Sequence, residues 1–107
     1  QIIDCLPEDF NELTIAYEPI WSIGTGKIPL QSEIKEMHKN IKDIVFSKSK
    51  KNVKVLYGGS VNEQNIQEIL SVNNVDGVLV GGASLKIKDF LAIYGSAVKH
   101  LKKNYNI

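Results

Sequence analysis

The sequence predicts an α/β fold built on parallel strands, and three observations carry the prediction. Short apolar runs, Leu13 to Tyr17, Val53 to Tyr57 and Val75 to Val80, each stop at a proline or a glycine pair. Longer segments between and after them place apolar residues at steps of three and four, the period of a helix with one buried side. The order is strand then helix, three times over. Strands alternating with helices of this length call for a parallel sheet with right-handed crossovers. Periodicity alone is equally satisfied by a small open sheet.

Each element follows from its residues. Gln1-Ile2-Ile3-Asp4 reads as the end of a helix, and Leu6-Pro7-Glu8-Asp9-Phe10 as a turn delivering the first strand. That strand mixes Leu, Thr, Ile and Tyr and is halted by Pro19. A loop from Glu18 to Pro29 follows, and then a helix over about Ser32 to Ser47, with Ile34, Met37, Ile41, Ile44 and Val45 on one side. Gln31 or Ser32 opens it, and Glu33 and Glu36 suit the positive end of the helix dipole. The basic run Lys48-Ser49-Lys50-Lys51 reads as its solvated end. Gly58-Gly59 halts the second strand, and Asn62 caps a helix carrying Ile66, Ile69 and Leu70 on one face. Asn73-Asn74 turns the chain into the third strand, which contains Gly77 and ends at Gly81-Gly82. The final helix shows Phe90, Tyr94, Ala97, Val98 and Leu101 as one stripe, and Lys102 to Ile107 read as a solvated tail.

Size and charge narrow the function classes. The 107 residues fit one small domain with a modest core. A net charge of +1 with both signs interspersed offers no field for nucleic acid or an anionic membrane. No apolar run approaches the ~20 residues of a membrane span, and the first residues lack a signal-peptide layout. The single cysteine, Cys5, excludes an internal disulfide and is compatible with a reducing compartment. With nothing basic beside it, Cys5 reads as an inert thiol. The chain begins at Gln1 rather than methionine, the expectation for a cut chain or a piece of a larger product.

Chemistry concentrates where the strands leave the sheet. Glu18 stands at the exit of the first strand, as a working carboxylate or as a charge that merely solvates the rim. Gly58-Gly59-Ser60 and Gly81-Gly82 leave backbone N–H groups open to an anion, and a helix opening behind such a turn adds its dipole. Glycine is also the default residue of tight turns. Two such turns after consecutive strands, beside a third glycine-rich loop, favour phosphate binding.

The wording of three stretches says more. Ala16-Tyr17-Glu18-Pro19-Ile20-Trp21-Ser22-Ile23-Gly24-Thr25-Gly26-Lys27 closely resembles the active-site loop of the triosephosphate isomerase family. Leu56-Tyr57-Gly58-Gly59-Ser60-Val61 and Asp76-Gly77-Val78-Leu79-Val80-Gly81-Gly82-Ala83-Ser84-Leu85-Lys86 resemble the same family in the same order. The resemblance runs over nearly the whole chain but covers only the C-terminal part of an enzyme whose barrel is typically ~250 residues. It implies that residues 1–107 are a single partial domain, the last three βα units of a TIM (β/α)8 barrel with parallel strands and helices outside, the N-terminal barrel half being absent.

The resemblance also implies an activity: interconversion of dihydroxyacetone phosphate and D-glyceraldehyde 3-phosphate through an enediolate, in glycolysis and gluconeogenesis, without metal or cofactor. By the same resemblance Glu18 is the base, and Gly24, Ser60, Gly81 and Gly82 bind the substrate phosphate at the common barrel site after strands seven and eight. Ile23 and Leu79 supply a dry wall. Pro19, Ile20, Trp21, Lys27, Ile28 and Pro29 belong to the lid, which Tyr57 and Ser60 latch when closed. The complete enzyme is implied to be a cytoplasmic homodimer. Two departures stand out: Ser22 where alanine is commoner, and Lys27-Ile28-Pro29 at the hinge, where Pro29 has fixed φ and no N–H. They lead us to expect a stiffer hinge with an altered latch.

The family's lysine and asparagine near the first strand and its electrophilic histidine after the fourth fall before Gln1. His38 and His100 lie in helix patterns and read as surface or helix-packing residues, and neither Lys27 nor Lys86 near the rim takes the lysine's place. The chain alone is therefore expected to be inactive, its partners being the triose phosphate and the missing barrel half. The alternative is a non-catalytic half-barrel that binds phosphate ligands or associates with another chain through its open sheet edge.

Overall fold

The computed structural model describes residues 6, 10, 12–19 and 30–105. The elements are β1 (Thr14–Tyr17), α1 (Gln31–Ser49), β2 (Lys54–Tyr57), α2 (Ile66–Leu70), β3 (Gly77–Val78), a 3-10 turn (Gly82–Leu85) and α3 (Ile87–Tyr105). The strands form one parallel sheet in the order β1-β2-β3. Tyr17 lies opposite Tyr57, and Tyr57 opposite Val78. The readings of Gln1 to Asp4, Cys5 and the 20–29 loop fall outside the described residues.

Because side chains alternate along a strand, this register sorts them into two sets. Ile15, Tyr17, Val55, Tyr57 and Val78 pack with helix residues in two hydrophobic clusters. One joins Ile34 and Tyr57 to Val61, Ile66, Ile69, Val72 and Ile93. The other joins Ile41 and Val45 of α1 to Val53 and Val55. On the opposite face Thr14 and Ala16 are exposed, and the Leu56 side chain lies so close to Gly77 that a Cβ there would sit 2.8 Å from its Cδ2.

The buried stripe of α1 is Ile34, His38, Ile41 and Val45, at steps of four, three and four. Met37 and Ile44, expected on that side, flank it and are exposed, and an imidazole takes the central place. The helix opens behind Leu30 rather than on a Gln31 or Ser32 cap, the Glu33 and Ile34 amides donating to the Leu30 carbonyl at 2.9 and 3.1 Å. It closes on Lys50, left-handed at φ 61°, whose N–H donates to the Phe46 carbonyl at 2.7 Å. The basic run is not uniformly solvated. Lys51 lies 4.8 Å from the centroid of the Phe10 ring and its Nζ donates to the Phe10 carbonyl.

β3 is shorter than the expected Val75 to Val80, and Asp76 stands just before its first residue. Its own N–H donates to the Val55 carbonyl at 3.0 Å, but its carboxylate accepts the Val55 N–H at 2.8 Å, taking the place of a ladder carbonyl. The same oxygen pairs with Lys42 Nζ at 2.9 Å, tying α1 to the start of the strand. α3 runs on to Tyr105 where a tail was expected, and Lys102 and Lys103 in its last turn suit the negative helix end. Its buried side also differs: Ile93 is buried, while Phe90, Tyr94 and Leu101 of the expected stripe are 42%, 61% and 44% exposed. No helix among the described residues is long and apolar enough to cross a membrane.

Candidate active site

Parallel register brings the three strand exits to one rim. The Gly58 amide donates to the Tyr17 carbonyl at 2.9 Å, and the Leu79 amide to the Tyr57 carbonyl at 2.9 Å. Glu18, Gly58 and Leu79 are therefore neighbours just past the strands. They open a cleft of about 460 Å³ lined by residues 58–62 and 79–83 together with Glu18.

Glu18 is exposed, and its side chain lies along Gly58. A Cβ built on Gly58 would stand 2.7 Å from Glu18 Cγ and 3.2 Å from Oε1, so this glycine makes room for the carboxylate arm. Gly81 and Gly82 present the opposite case. A Cβ on either meets no heavy atom within 4 Å, and neither has a positive φ. Neither crowding nor a positive φ demands glycine there; the bare backbone borders open cleft.

The Gly81-Gly82 peptide has a fixed direction. Its carbonyl accepts from the Ser84 amide at 2.9 Å and the Ser84 hydroxyl at 2.6 Å. In a trans peptide the N–H points opposite to the C=O, so the Gly82 N–H is turned away from the turn. Among the described residues neither the Gly81 nor the Gly82 N–H donates to a protein acceptor. The expected dipole contribution is small here. The turn opens four 3-10 residues rather than a long helix, and α2 behind Gly58-Gly59-Ser60 has only five residues. Local N–H groups carry any attraction for an anion.

A pair of asparagines braces the Gly58-Gly59-Ser60 loop. α2 opens on Asn65 rather than on Asn62, whose Oδ1 instead caps the turn before it, accepting the amides of Gln64 and Asn65 at 2.8 and 3.0 Å. Asn65 was not foreseen. Its Nδ2 donates to the Ser60 carbonyl at 2.7 Å, and its Oδ1 accepts the Asn62 amide at 2.9 Å. The available signal was the spacing, since polar residues three apart before a helix can cap reciprocally.

The remaining site residues are distributed unevenly. Leu79 is part-exposed on the cleft wall and Pro19 is buried. Tyr57 is fully buried on the helix side of the sheet, its ring 6.3 Å from that of Tyr17 and 6.2 Å from that of His38. Ile20, Trp21, Ile23, Gly24, Lys27, Ile28 and Pro29 lie outside the described residues. His38 is a buried helix-packing residue, edge-on to Tyr17 at 5.8 Å. Its Nδ1 lies 3.3 Å from the Asn74 carbonyl, and its Nε2 has no hydrogen-bond partner among the described residues. Burial holds its pKa below the ordinary 6.5, Lys42 acting in the same sense and the Asn74 carbonyl, Asp76 and the Val55 backbone against it. His100 is half-buried in α3 and Lys86 is exposed.

The Glu18 carboxylate and the exposed Gly81-Gly82 backbone thus share one cleft at the ends of parallel strands, where barrels keep their chemistry. A family model described as triosephosphate isomerase matches residues 1–97. The chain belongs to the triosephosphate isomerase family. Among curated relatives, the triosephosphate isomerase of Hyphomonas neptunium is 43% identical over 92% of this chain and 42% of its own length. That of Psychrobacter cryohalolentis is 50% identical over 87% of this chain and 34% of its own. The crystal structure of triosephosphate isomerase from Bartonella henselae superposes with a TM-score of 0.68 at 38% identity, covering 78% of this chain and 34% of that one. The chain thus spans about two fifths or less of the length of these family members, and its three βα units are part of a TIM barrel.

Proposed function

We propose that this chain provides the base, the lid and most of the phosphate cradle of a triose-phosphate isomerase, working with an N-terminal barrel segment that completes the site. The observation that carries this reading is the exposed Glu18 carboxylate in one cleft with the outward Gly81-Gly82 backbone. The phosphate of dihydroxyacetone phosphate is held by backbone N–H groups of Gly24, Ser60, Gly81 and Gly82. Glu18 removes a proton from C1 and returns it to C2, giving D-glyceraldehyde 3-phosphate by way of an enediolate. Closure of the lid at Pro19, Ile20, Trp21, Lys27, Ile28 and Pro29, latched by Tyr57 and Ser60, strips water from Glu18 and raises its proton affinity. Ile23 and Leu79 keep the reacting carbons dry, which protects the enediolate from losing its phosphate. The N-terminal segment contributes the neutral histidine electrophile and the lysine, a division of labour carried over from the family. The complete enzyme acts in the cytoplasm as a homodimer, in glycolysis and gluconeogenesis.

A second reading, a half-barrel that only binds phosphate or another chain, is favoured by the exposed apolar side chains of α3. A coupled isomerase assay separates the two, run on the chain alone and after co-folding with the N-terminal barrel segment of a relative. Activity is expected only after co-folding, and Glu18→Ala is expected to lower it by about 100-fold or more, the scale of a lost general base. No activity in either preparation would leave the binding reading standing.

A further inference from the structure

The Glu18 side chain is held by shape rather than by a polar tether. It is exposed on the cleft, and among the described residues its carboxylate has no hydrogen-bond or ion-pair partner. What it does touch is Gly58. A Cβ there would stand 2.7 Å from Glu18 Cγ, 3.4 Å from Cδ and 3.2 Å from Oε1, so the whole arm runs along the bare Cα. Gly58 is not free to step aside. Its N–H donates to the Tyr17 carbonyl at 2.9 Å, and the residue before it, Tyr57, is in register with Tyr17. Nor does the backbone at 58 need glycine for its own sake, since its φ is not positive. The demand for a missing Cβ comes from the glutamate arm.

From this we infer that Gly58 is a positioning residue for the base. Its bare Cα selects the χ1 well in which the Glu18 arm lies, and the inference rests on the base proposed above. A carboxylate fixed by hydrogen bonds gives up acceptor sites to its tether. One seated by shape keeps both oxygens open to take a proton. An alanine at 58 closes the seat. The closest contact falls on Cγ, so turning the carboxylate at its far end does not relieve it, and the arm has to leave its χ1 well. The sheet holds Gly58 and the arm is exposed, so the arm is the part that yields. The carboxylate then moves by on the order of an ångström or more, enough to cost about two orders of magnitude where the reacting atoms must be aligned.

Gly58→Ala and Glu18→Ala, singly and together, test this in the intact polypeptide that carries these residues. The readouts are KM against kcat, inorganic phosphate titration and thermal midpoint. Gly58→Ala is expected to lower kcat about 100-fold, while KM and phosphate affinity stay within about twofold of the parent. The thermal midpoint is expected to hold or rise slightly, since the exposed arm moves aside and alanine narrows the unfolded ensemble. In the Glu18→Ala background the same substitution is expected to cost nothing further, because no arm remains to displace. A parent-like kcat in Gly58→Ala, or an equal loss with Glu18 already removed, would overturn the inference while leaving the isomerase reading intact. A joint fall in thermal midpoint and phosphate affinity would also overturn it, as the mark of a glycine the fold itself requires. Equal activity in Glu18→Ala and the unsubstituted protein would overturn both readings.

Discussion

Gly82 separates two reasons for a glycine. A glycine required by the fold either has a left-handed backbone or abuts another group, and Gly82 does neither. It sits in a 3-10 turn, a conformation alanine adopts without strain. Gly82→Ala is therefore expected to leave stability unchanged or raise it by up to about 1 kcal/mol, through the reduced freedom of the unfolded chain. The added methyl enters the cleft where the phosphate would lie, so inorganic phosphate affinity is expected to fall about tenfold or more. Thermal melts and a phosphate titration on the same sample check both halves. A variant that melts lower yet binds phosphate normally would make this glycine a turn residue and nothing more. Glu18 and the glycines were legible beforehand because they stand in runs whose wording is specific. Asn65 was not, because asparagine before a short helix has many local uses and only coordinates distinguish a forward cap from a backward bridge.

At the scale of elements, α1 shows what a hydrophobic pattern overlooks. Counting only aliphatic residues selects Met37 and Ile44, but the buried row runs through His38, which a neutral imidazole can occupy as an aromatic spacer between Tyr17 and Tyr57. Asp76 shows the converse: just before β3 a carboxylate takes the Val55 N–H in place of a ladder carbonyl, an exchange that strand propensity does not encode. His38 also gives the helix a pH dependence. Its folded pKa lies below 6.5 because burial disfavours the cation, so the unfolded chain binds the proton more readily. Stability is then complete above about pH 6.5 and declines as the pH falls from there toward the lowered folded value. Urea midpoints at pH 7.5 and 5.5 are expected to differ in the parent, with the lower value at pH 5.5, and His38→Gln is expected to remove most of that difference. An equal difference in both proteins would assign the pH dependence to other groups.

For the molecule as a whole, the informative feature is an apolar face without a cover. Phe90, Tyr94, Ala97, Val98 and Leu101 do fall on one stripe of α3, as their spacing requires. The helix nevertheless turns Ile93 toward α2 and leaves Phe90, Tyr94 and Leu101 largely open. Periodicity reveals that a face is apolar; it does not say which element covers it. Together with the exposed Thr14 and Ala16 face of the sheet, this stripe is where further units of the barrel would pack. Tyr94→Glu discriminates between a cover from outside these residues and a merely greasy surface. Tyr94 is 61% exposed, so the substitution is expected to shift the stability of the 107-residue chain alone by no more than about 0.5 kcal/mol. If an N-terminal barrel segment packs over the stripe, the same glutamate becomes a buried unpaired charge, and association is expected to weaken by several kcal/mol. Recovery of isomerase activity on titrating the N-terminal segment reads this directly. Recovery at the parent's midpoint concentration would place the docking surface elsewhere and leave α3 as an outer wall.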